Sequence, residues 1–375
     1  MKTKYYIGLM SGTSADGIDL ALVYFDHEKP ALKASFYQEY PTEIHQKITA
    51  LYQTSDDEIE LMGSLDIELA QHFASAVNEF INQQSLKASD IIAIGNHGQT
   101  IRHRPPNGYQ QHAFTLQIGC NETLAALTGI RVIGQFRRKD IAHGGQGAPL
   151  VPAFHKALLS DDEPLFVVNI GGIANITYLP NDTEQAVVGF DTGPGNALLD
   201  IWYQANNPND RYDEGGKWSS TGTVIQPLLN HLREDKYFKL PPPKSTGREY
   251  FHAQWLNDNL SAFEQSKSLL PQDIQATLCA LTAGSISEQI RLLSTTGKVF
   301  LCGGGAHNKH LLNLIKQQLN DHSVASLNAL NIDGDALEAM AFAWFAYAFD
   351  KKIKGNIPSV TGASKALVLG NEYLA

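Results

Sequence analysis

Cysteine is scarce in this chain: Cys120, Cys279 and Cys302 are the three present, widely spaced and without a C-x-x-C pair. That pattern supports neither a disulfide framework nor a thiolate zinc site, and it suits a reducing compartment. Basic residues are in deficit too, since 29 Lys and Arg against 39 Asp and Glu leave a formal net charge of -10. A chain of that sign lacks the electrostatic footprint of a protein whose main partner is nucleic acid or an anionic membrane surface. Long apolar runs are missing, which excludes a transmembrane helix. The opening MKTKYYIGLMSGTSADG meets Gly, Ser, Thr and Asp too early to form the apolar core of a signal peptide. No G-x-x-x-x-G-K-[ST] motif occurs, so any phosphate site is not a P-loop. These absences predict a soluble cytoplasmic protein with neither a nucleic-acid nor a membrane partner.

The chain has 375 residues, more than one hydrophobic core usually serves, and 43% of them are hydrophobic. The polar stretch 137–147 divides it into expected domains at 1–150 and 151–375, with the last helix able to pack back on the first domain. Tyr5–Met10 and Leu20–Phe25 are β-rich and flank the small, polar segment Ser11–Asp19, and Leu32–Tyr40 extends the meander. Leu65, Ile67, Leu69, Phe73 and Val77 predict a helix over 61–82. A short strand, Ile91–Gly95, delivers Asn96–Thr100 at its C-terminal end. The pattern then recurs: strand Leu165–Ile170, turn Gly171-Gly172, strands Asn175–Leu179 and Val187–Phe190, and a helix over Ala197–Ala205. A strand–glycine turn–strand–strand–helix unit met twice predicts an α/β protein of two related domains facing a shared cleft. Further on, strand Lys298–Cys302 leads into Gly303-Gly304-Gly305, and Asp335–Asp350 reads as a buried apolar helix. Residues 206–250 read as an insertion.

Three glycine turns carry the chemistry. In Gly12-Thr13-Ser14-Ala15-Asp16-Gly17-Ile18-Asp19, backbone N–H groups can converge on phosphate oxygens because no bulky side chain intervenes. Thr13 and Ser14 add hydroxyl donors, and Asp16 or Asp19 can hold Mg²⁺ directly or through water. The same residues also suit a plain hairpin with a local Asx bond, and the segment alone does not choose. Asn169, Gly171, Gly172 and Asn175 occupy the equivalent place in the second unit, where two facing turns would grip a triphosphate. Gly303, Gly304 and Gly305 open a helix and can lie flat against adenosine, although the G-x-G-x-x-G spacing of a dinucleotide fold is absent.

The segments GLMSGTSADGID, GNHGQT, FRRKDIAHGGQGAPLVPAFH, NIGGIANIT, GFDTGPGN, PPPKSTGREYF and CGGGAHN resemble, in order, those of the anhydro-N-acetylmuramic acid kinase family. The resemblance implies a duplicated actin-like ATPase (ribonuclease H-like) fold with ATP and Mg²⁺ as cofactors. It implies a small sugar substrate, 1,6-anhydro-N-acetylmuramic acid, phosphorylated on O6 as its ring opens during peptidoglycan recycling, and a homodimer. Such a reaction needs a carboxylate to orient and deprotonate water at the anomeric carbon. Asp191, placed at the end of a strand, matches the catalytic aspartate of the family, with Glu338 as an assistant. Asp140 is the rival carboxylate, with a structural or substrate-orienting role as its other reading.

Arg138, and with it Arg137, suits a substrate carboxylate, because a guanidinium pairs with one bidentately. His97, Gln99, Thr100 and Gly145 complete the expected sugar contacts, with His143 a weaker candidate. Two other functions fit parts of the pattern: a nucleotide-switched ATPase of the actin type without sugar chemistry, and a simple hexose kinase that needs no attacking water.

Overall fold

The structure is a computed structural model. It describes residues 3–375 except 53, 55, 107–111, 160, 161, 183, 243, 249, 264–268 and 331. Chain contacts divide it into two compact units, Met1–Leu159 with Ala336–Ala375, and Ser160–Asp335. In chain order the strands are β1 (Tyr5–Ser11), β2 (Gly17–Asp26), β3 (Lys29–Glu39), β4 (Ile91–Arg104), β5 (Phe114–Ile118) and β6 (Val132–Gly134). They continue as β7 (Leu165–Ile170), β8 (Ile173–Leu179), β9 (Val188–Pro194), β10 (Gly297–Cys302), β11 (His322–Ser326) and β12 (Asn371–Tyr373).

The first unit builds one sheet in the order β12-β6-β4-β1-β2-β3, with β5 also paired to β4, and the second builds β11-β10-β7-β8-β9. In the first, β1 runs antiparallel to β2 and parallel to β4, β2 is antiparallel to β3, and β4 is parallel to β6. In the second, β7 runs antiparallel to β8 and parallel to β10, β8 is antiparallel to β9, and β10 is parallel to β11. A central strand thus carries a two-strand meander on one side and parallel strands on the other, in both units. That order is the ribonuclease H-like sheet, and its repetition makes this a duplicated actin-like ATPase fold.

Each sheet is covered by apolar helix faces. Helix Glu58–Gln83 buries Leu65, Leu69, Phe73, Val77 and Phe80, a stripe at near-helical spacing. Ile67, expected on that stripe, is 41% exposed, because two helical steps from Leu65 turn it to the opposite side. Helix Leu337–Lys351 is apolar almost all round, with every residue from Ala339 to Ala348 buried, and it lies across β1, β2 and β4. Two strand glycines make that approach feasible. A Cβ on Gly8 would fall on the Ala339 carbonyl oxygen, and one on Gly95 on the Phe342 carbonyl oxygen, so the helix backbone rests directly on the sheet.

Several sequence expectations change here. Residues 137–147 are not a linker: they form helix Phe136–Ala142 and a turn tied back to it. β4 does not stop at Gly95 but runs to Arg104, because its partner changes from β1 to β5 at Gln99 and the edge beyond β1 is filled. By chain contacts, segments 151–159 and 336–375 group with the first unit. The apolar helix just described packs against β1, β2, β3, β4 and β6.

Candidate functional site

In the first unit the turn after β1 is closed by Ala15 N–H donating to the Gly12 carbonyl at 3.1 Å. Ala15 is fully buried with φ of 56°, a left-handed conformation that costs about 1 kcal/mol for a residue with a Cβ. Buried side chains hold the turn in that shape. Gln99 Nε2 donates to the Gly12 carbonyl (3.0 Å) and to the Tyr52 hydroxyl (3.1 Å), and Tyr52 donates to the Thr13 carbonyl (2.9 Å). Ser11 Oγ donates to Gln99 Oε1 at 2.5 Å and lies 2.8 Å from the Tyr40 hydroxyl. Gln99 therefore serves as the brace of this turn; its amide is spent on protein partners. Ser11, Tyr40 and Tyr52 escaped the sequence reading, for nothing in their spacing marks them. Above the brace Thr13 and Asp16 are exposed and Ser14 half-buried. Gly17, Ile18 and Asp19 already belong to β2, where Asp19 pairs opposite Met10 and Tyr37.

His97 lies on β4 just before Gly98, whose φ is 74°. Its Nδ1 faces the carbonyl oxygens of Ser11 (3.1 Å) and Gly98 (2.7 Å), while Nε2 is 2.9 Å from Arg137 Nη2. Two acceptors at Nδ1 and a cationic donor at Nε2 define one arrangement, a neutral ring protonated on Nδ1. Burial, reinforced by the Arg137 charge, pushes the His97 pKa down to about 3. Burial likewise lowers the Arg137 pKa to about 10, against the opposing pull of the Glu338 and Asp140 carboxylates. So His97 and Arg137 form a hydrogen-bonded pair, on whose guanidinium the Glu338 carboxylate acts. Arg138 is exposed and stands outside it. Thr100 accepts from Gln117 Nε2 at 3.1 Å. His143 Nδ1 pairs with the Lys139 carbonyl at 2.9 Å in a local helix-end contact.

Asp140 is fully buried and structural: its carboxylate accepts from Gly147 N–H (2.8 Å), Asn356 Nδ2 (2.7 Å) and Thr361 Oγ1 (2.7 Å). Gly145 is buried against that same carboxylate, where a Cβ would collide with Oδ2.

In the second unit three glycine segments meet at the C-terminal ends of β7 and β10. The Gly171 carbonyl accepts from Asn196 N–H at 2.8 Å, and the Gly172 carbonyl from Gly195 N–H at 2.9 Å. Asn196 Nδ2 donates to the Ile170 carbonyl at 3.1 Å. A Cβ on Gly303, where φ is 73°, would fall on Asn169 Oδ1, and one on Gly305 on the Ile170 side chain. Gly304 is exposed at the crest. Arg248, which the sequence reading passed over within PPPKSTGREYF, stands over the turn: a Cβ on Gly172 would meet its Nε at 2.7 Å. Asp200, in the first turn of helix Ala197–Asn206, has its pKa raised to about 6 by burial, with Arg248 pulling the other way.

Asp191 is not at a strand end. It sits in the middle of β9, opposite Asn175 of β8, beside the register shift between Ala174 and Asn175. The shift bends the ladder locally and re-aims side chains. Its Oδ2 accepts from Ser245 Oγ and Thr246 N–H, each at 3.0 Å. Its backbone donates to the Lys244 carbonyl (3.0 Å) and accepts from the Tyr237 hydroxyl (2.8 Å). The half-buried carboxylate is thus aimed by the 244–246 segment, a pairing across more than fifty positions that local sequence patterns do not reveal.

Among the described residues no group of three or more His, Cys, Asp or Glu side chains could hold a metal ion. One exposed carboxylate beside a glycine turn, as at Asp16, still fits Mg²⁺, which keeps most of its waters and takes the remaining ligands from phosphate.

The family model described as anhydro-N-acetylmuramic acid kinase matches residues 4–375. An anhydro-N-acetylmuramic acid kinase of Colwellia psychrerythraea is 56% identical, covering 99% of this chain and 97% of its own. One of Coxiella burnetii is 48% identical over 100% of this chain and 98% of its own. Among solved structures, the activator of the 2-hydroxyisocaproyl-CoA dehydratase from Clostridium difficile with bound ADPNP has 11% identity and a TM-score of 0.46, covering 93% of this chain and 96% of its own. With its ordered motifs, its duplicated sheets and relatives matched end to end, the chain belongs to the anhydro-N-acetylmuramic acid kinase family.

Proposed function

We propose that the chain uses ATP and water to convert 1,6-anhydro-N-acetylmuramic acid into N-acetylmuramic acid 6-phosphate and ADP, with Asp191 as the base. Family membership across the whole chain supports the reaction. The observation that carries the base assignment is the Asp191 carboxylate, aimed by Ser245 and Thr246. Water attacks C1 and gives its proton to Asp191. The C1–O6 bond breaks, O6 forms a bond to the γ-phosphorus, and ADP departs. Opening the ring and capturing the phosphoryl group together spares a free, strongly basic O6 alkoxide.

The phosphates of ATP meet Gly12–Asp19 and the turn of Asn169, Gly171, Gly172 and Asn175, while Gly303–Gly305 take the adenosine end. Rigid turns whose amides need no rearrangement suit this task, since charge stabilisation is greatest from preorganised donors. Glu338 helps place the water. Mg²⁺, when bound, neutralises phosphate charge; Asp16 and Asp19 are the residues that would hold it, through water. The same reading makes the protein a cytoplasmic homodimer serving cell-wall sugar recycling, as the family resemblance implies.

Asp191→Asn tests the assignment, because Asn can keep the contacts to Ser245 and Thr246 while losing the base. The expected result is a kcat lower by about 10³-fold with ADP affinity within about threefold of wild type. Unchanged kcat would remove Asp191 from the chemistry.

A further inference from the structure

The sequence points to Arg138 as the arginine for an acidic group on the substrate, but the geometry points elsewhere. We infer that Arg137 is the anion-recognising arginine of this enzyme and that His97 is its positioning residue. This rests on the reading of the site as one that handles a sugar bearing a carboxylate.

Arg137 opens helix Phe136–Ala142 and is half-buried, whereas Arg138 is exposed. A guanidinium has five N–H donors in a rigid fork, and here two contacts orient it: Nη1 to the Gly147 carbonyl (2.8 Å) and Nη2 to His97 Nε2 (2.9 Å). Three donors remain for a ligand. Both anchors are themselves fixed. The Gly147 peptide is held by the buried Asp140 carboxylate through its N–H. The His97 ring is held by the carbonyls of Ser11 and Gly98 and by packing on Phe342, with ring centroids 4.7 Å apart. Ser11 also ends β1 immediately before the Gly12 turn, so His97 links that turn to the arginine.

The charge arrangement agrees. A buried histidine given to an arginine as a neutral acceptor adds no charge, whereas a carboxylate in its place would consume the cation. Glu338 and Asp140 are the carboxylates that act on Arg137. Asp140 is occupied by Gly147, Asn356 and Thr361, and Glu338 lies one helical turn from Phe342 on the apolar helix. The contacts to Gly147 and His97 hold the Arg137 fork in one orientation without neutralising it, and keep it from swinging toward solvent.

The test compares the natural carboxylate sugar with its neutral carboxamide in the full-length enzyme. Wild type should prefer the carboxylate by about 10- to 100-fold in kcat/KM, the range of a charge-assisted pair. Arg137→Gln should abolish that preference. His97→Phe, which keeps the ring packing and removes the acceptor, should raise KM about tenfold more for the carboxylate sugar than for the carboxamide. His97→Gln, which restores an acceptor, should recover most of the loss. Circular dichroism and ADP binding confirm that each variant is folded.

A preference lost in Arg138→Gln and kept in Arg137→Gln would overturn the inference, as would equal losses with both sugars in His97→Phe. Wild type that turns over both sugars equally well also overturns it, while leaving the kinase reading intact. Wild type that turns over neither sugar defeats the underlying reading instead.

Discussion

Gln99 shows how much of a ligand loop is made by residues that never touch a ligand. Its buried amide accepts from Ser11 and donates to Gly12 and Tyr52, so all three partners lose a hydrogen bond if it is removed. Gln99→Leu keeps the volume and strands those groups, at a cost of about 1–3 kcal/mol for each that stays unsatisfied. The expected outcome is a melting temperature several degrees lower, with a KM for ATP raised several-fold, as calorimetry and steady-state kinetics would report. A variant with unchanged KM would detach the brace from nucleotide binding.

Asp200 gives a second prediction at this scale, through pH. Its native pKa, about 6, lies above the ordinary carboxylate value of 3.8, so the folded state holds the proton more tightly than the unfolded state. Its contribution to stability is therefore complete below pH 3.8 and is lost as pH rises through 6. Above that, an ionised and partly buried carboxylate opposes folding by about 2 kcal/mol after allowance for partial exposure. Asp200→Asn should raise the melting temperature at pH 8 and leave it nearly unchanged near pH 4. A stabilisation of equal size at both pH values would contradict the burial argument.

Among elements, helix Leu337–Lys351 and the glycines beneath it form one device. Because the Ala339 and Phe342 carbonyls occupy the places of missing Cβ atoms, Gly8→Ala or Gly95→Ala must push helix from sheet. Backbone cannot yield as a side-chain tip can, so the cost should reach or exceed about 3 kcal/mol, the upper end for overpacking. Denaturant titration should find either variant strongly destabilised or insoluble; Gly63→Ala, in the open on helix Glu58–Gln83, is the tolerant comparison.

This element also marks the limit of what could be read in advance. Its apolar composition foretold burial, and strand–turn–strand order foretold both sheets, because periodicity and glycine placement are local signals. Asp191 was picked out by its motif, yet its position in mid-strand depends on the register shift opposite Asn175, which is a property of the pairing. Arg137 and Arg138 are adjacent and chemically alike. Only the direction of the helix that carries them decides which meets His97, and seven helical residues show no period to read it from.

Over the whole chain, duplication supplies the frame and divergence supplies the chemistry. The two sheets share one strand order, but the turn after β1 is braced by Gln99, Tyr52 and Ser11, whereas the turn after β7 is interlocked with Gly195, Asn196 and Gly303. Each solution immobilises a glycine turn, and neither uses a lysine of the P-loop kind. β9 carries the carboxylate Asp191 at its middle, whereas the matching strand β3, KPALKASFYQE, has its one carboxylate, Glu39, at its end. A kinase of ordinary hydroxyls would need no such base for water, and this distinction can be read directly from the product. Run in ¹⁸O-labelled water, the reaction should place one labelled oxygen at C1 of the 6-phosphorylated sugar and none in its phosphate. Label missing from C1 when the product is quenched before anomeric exchange would contradict ring opening by water and, with it, the role given to Asp191.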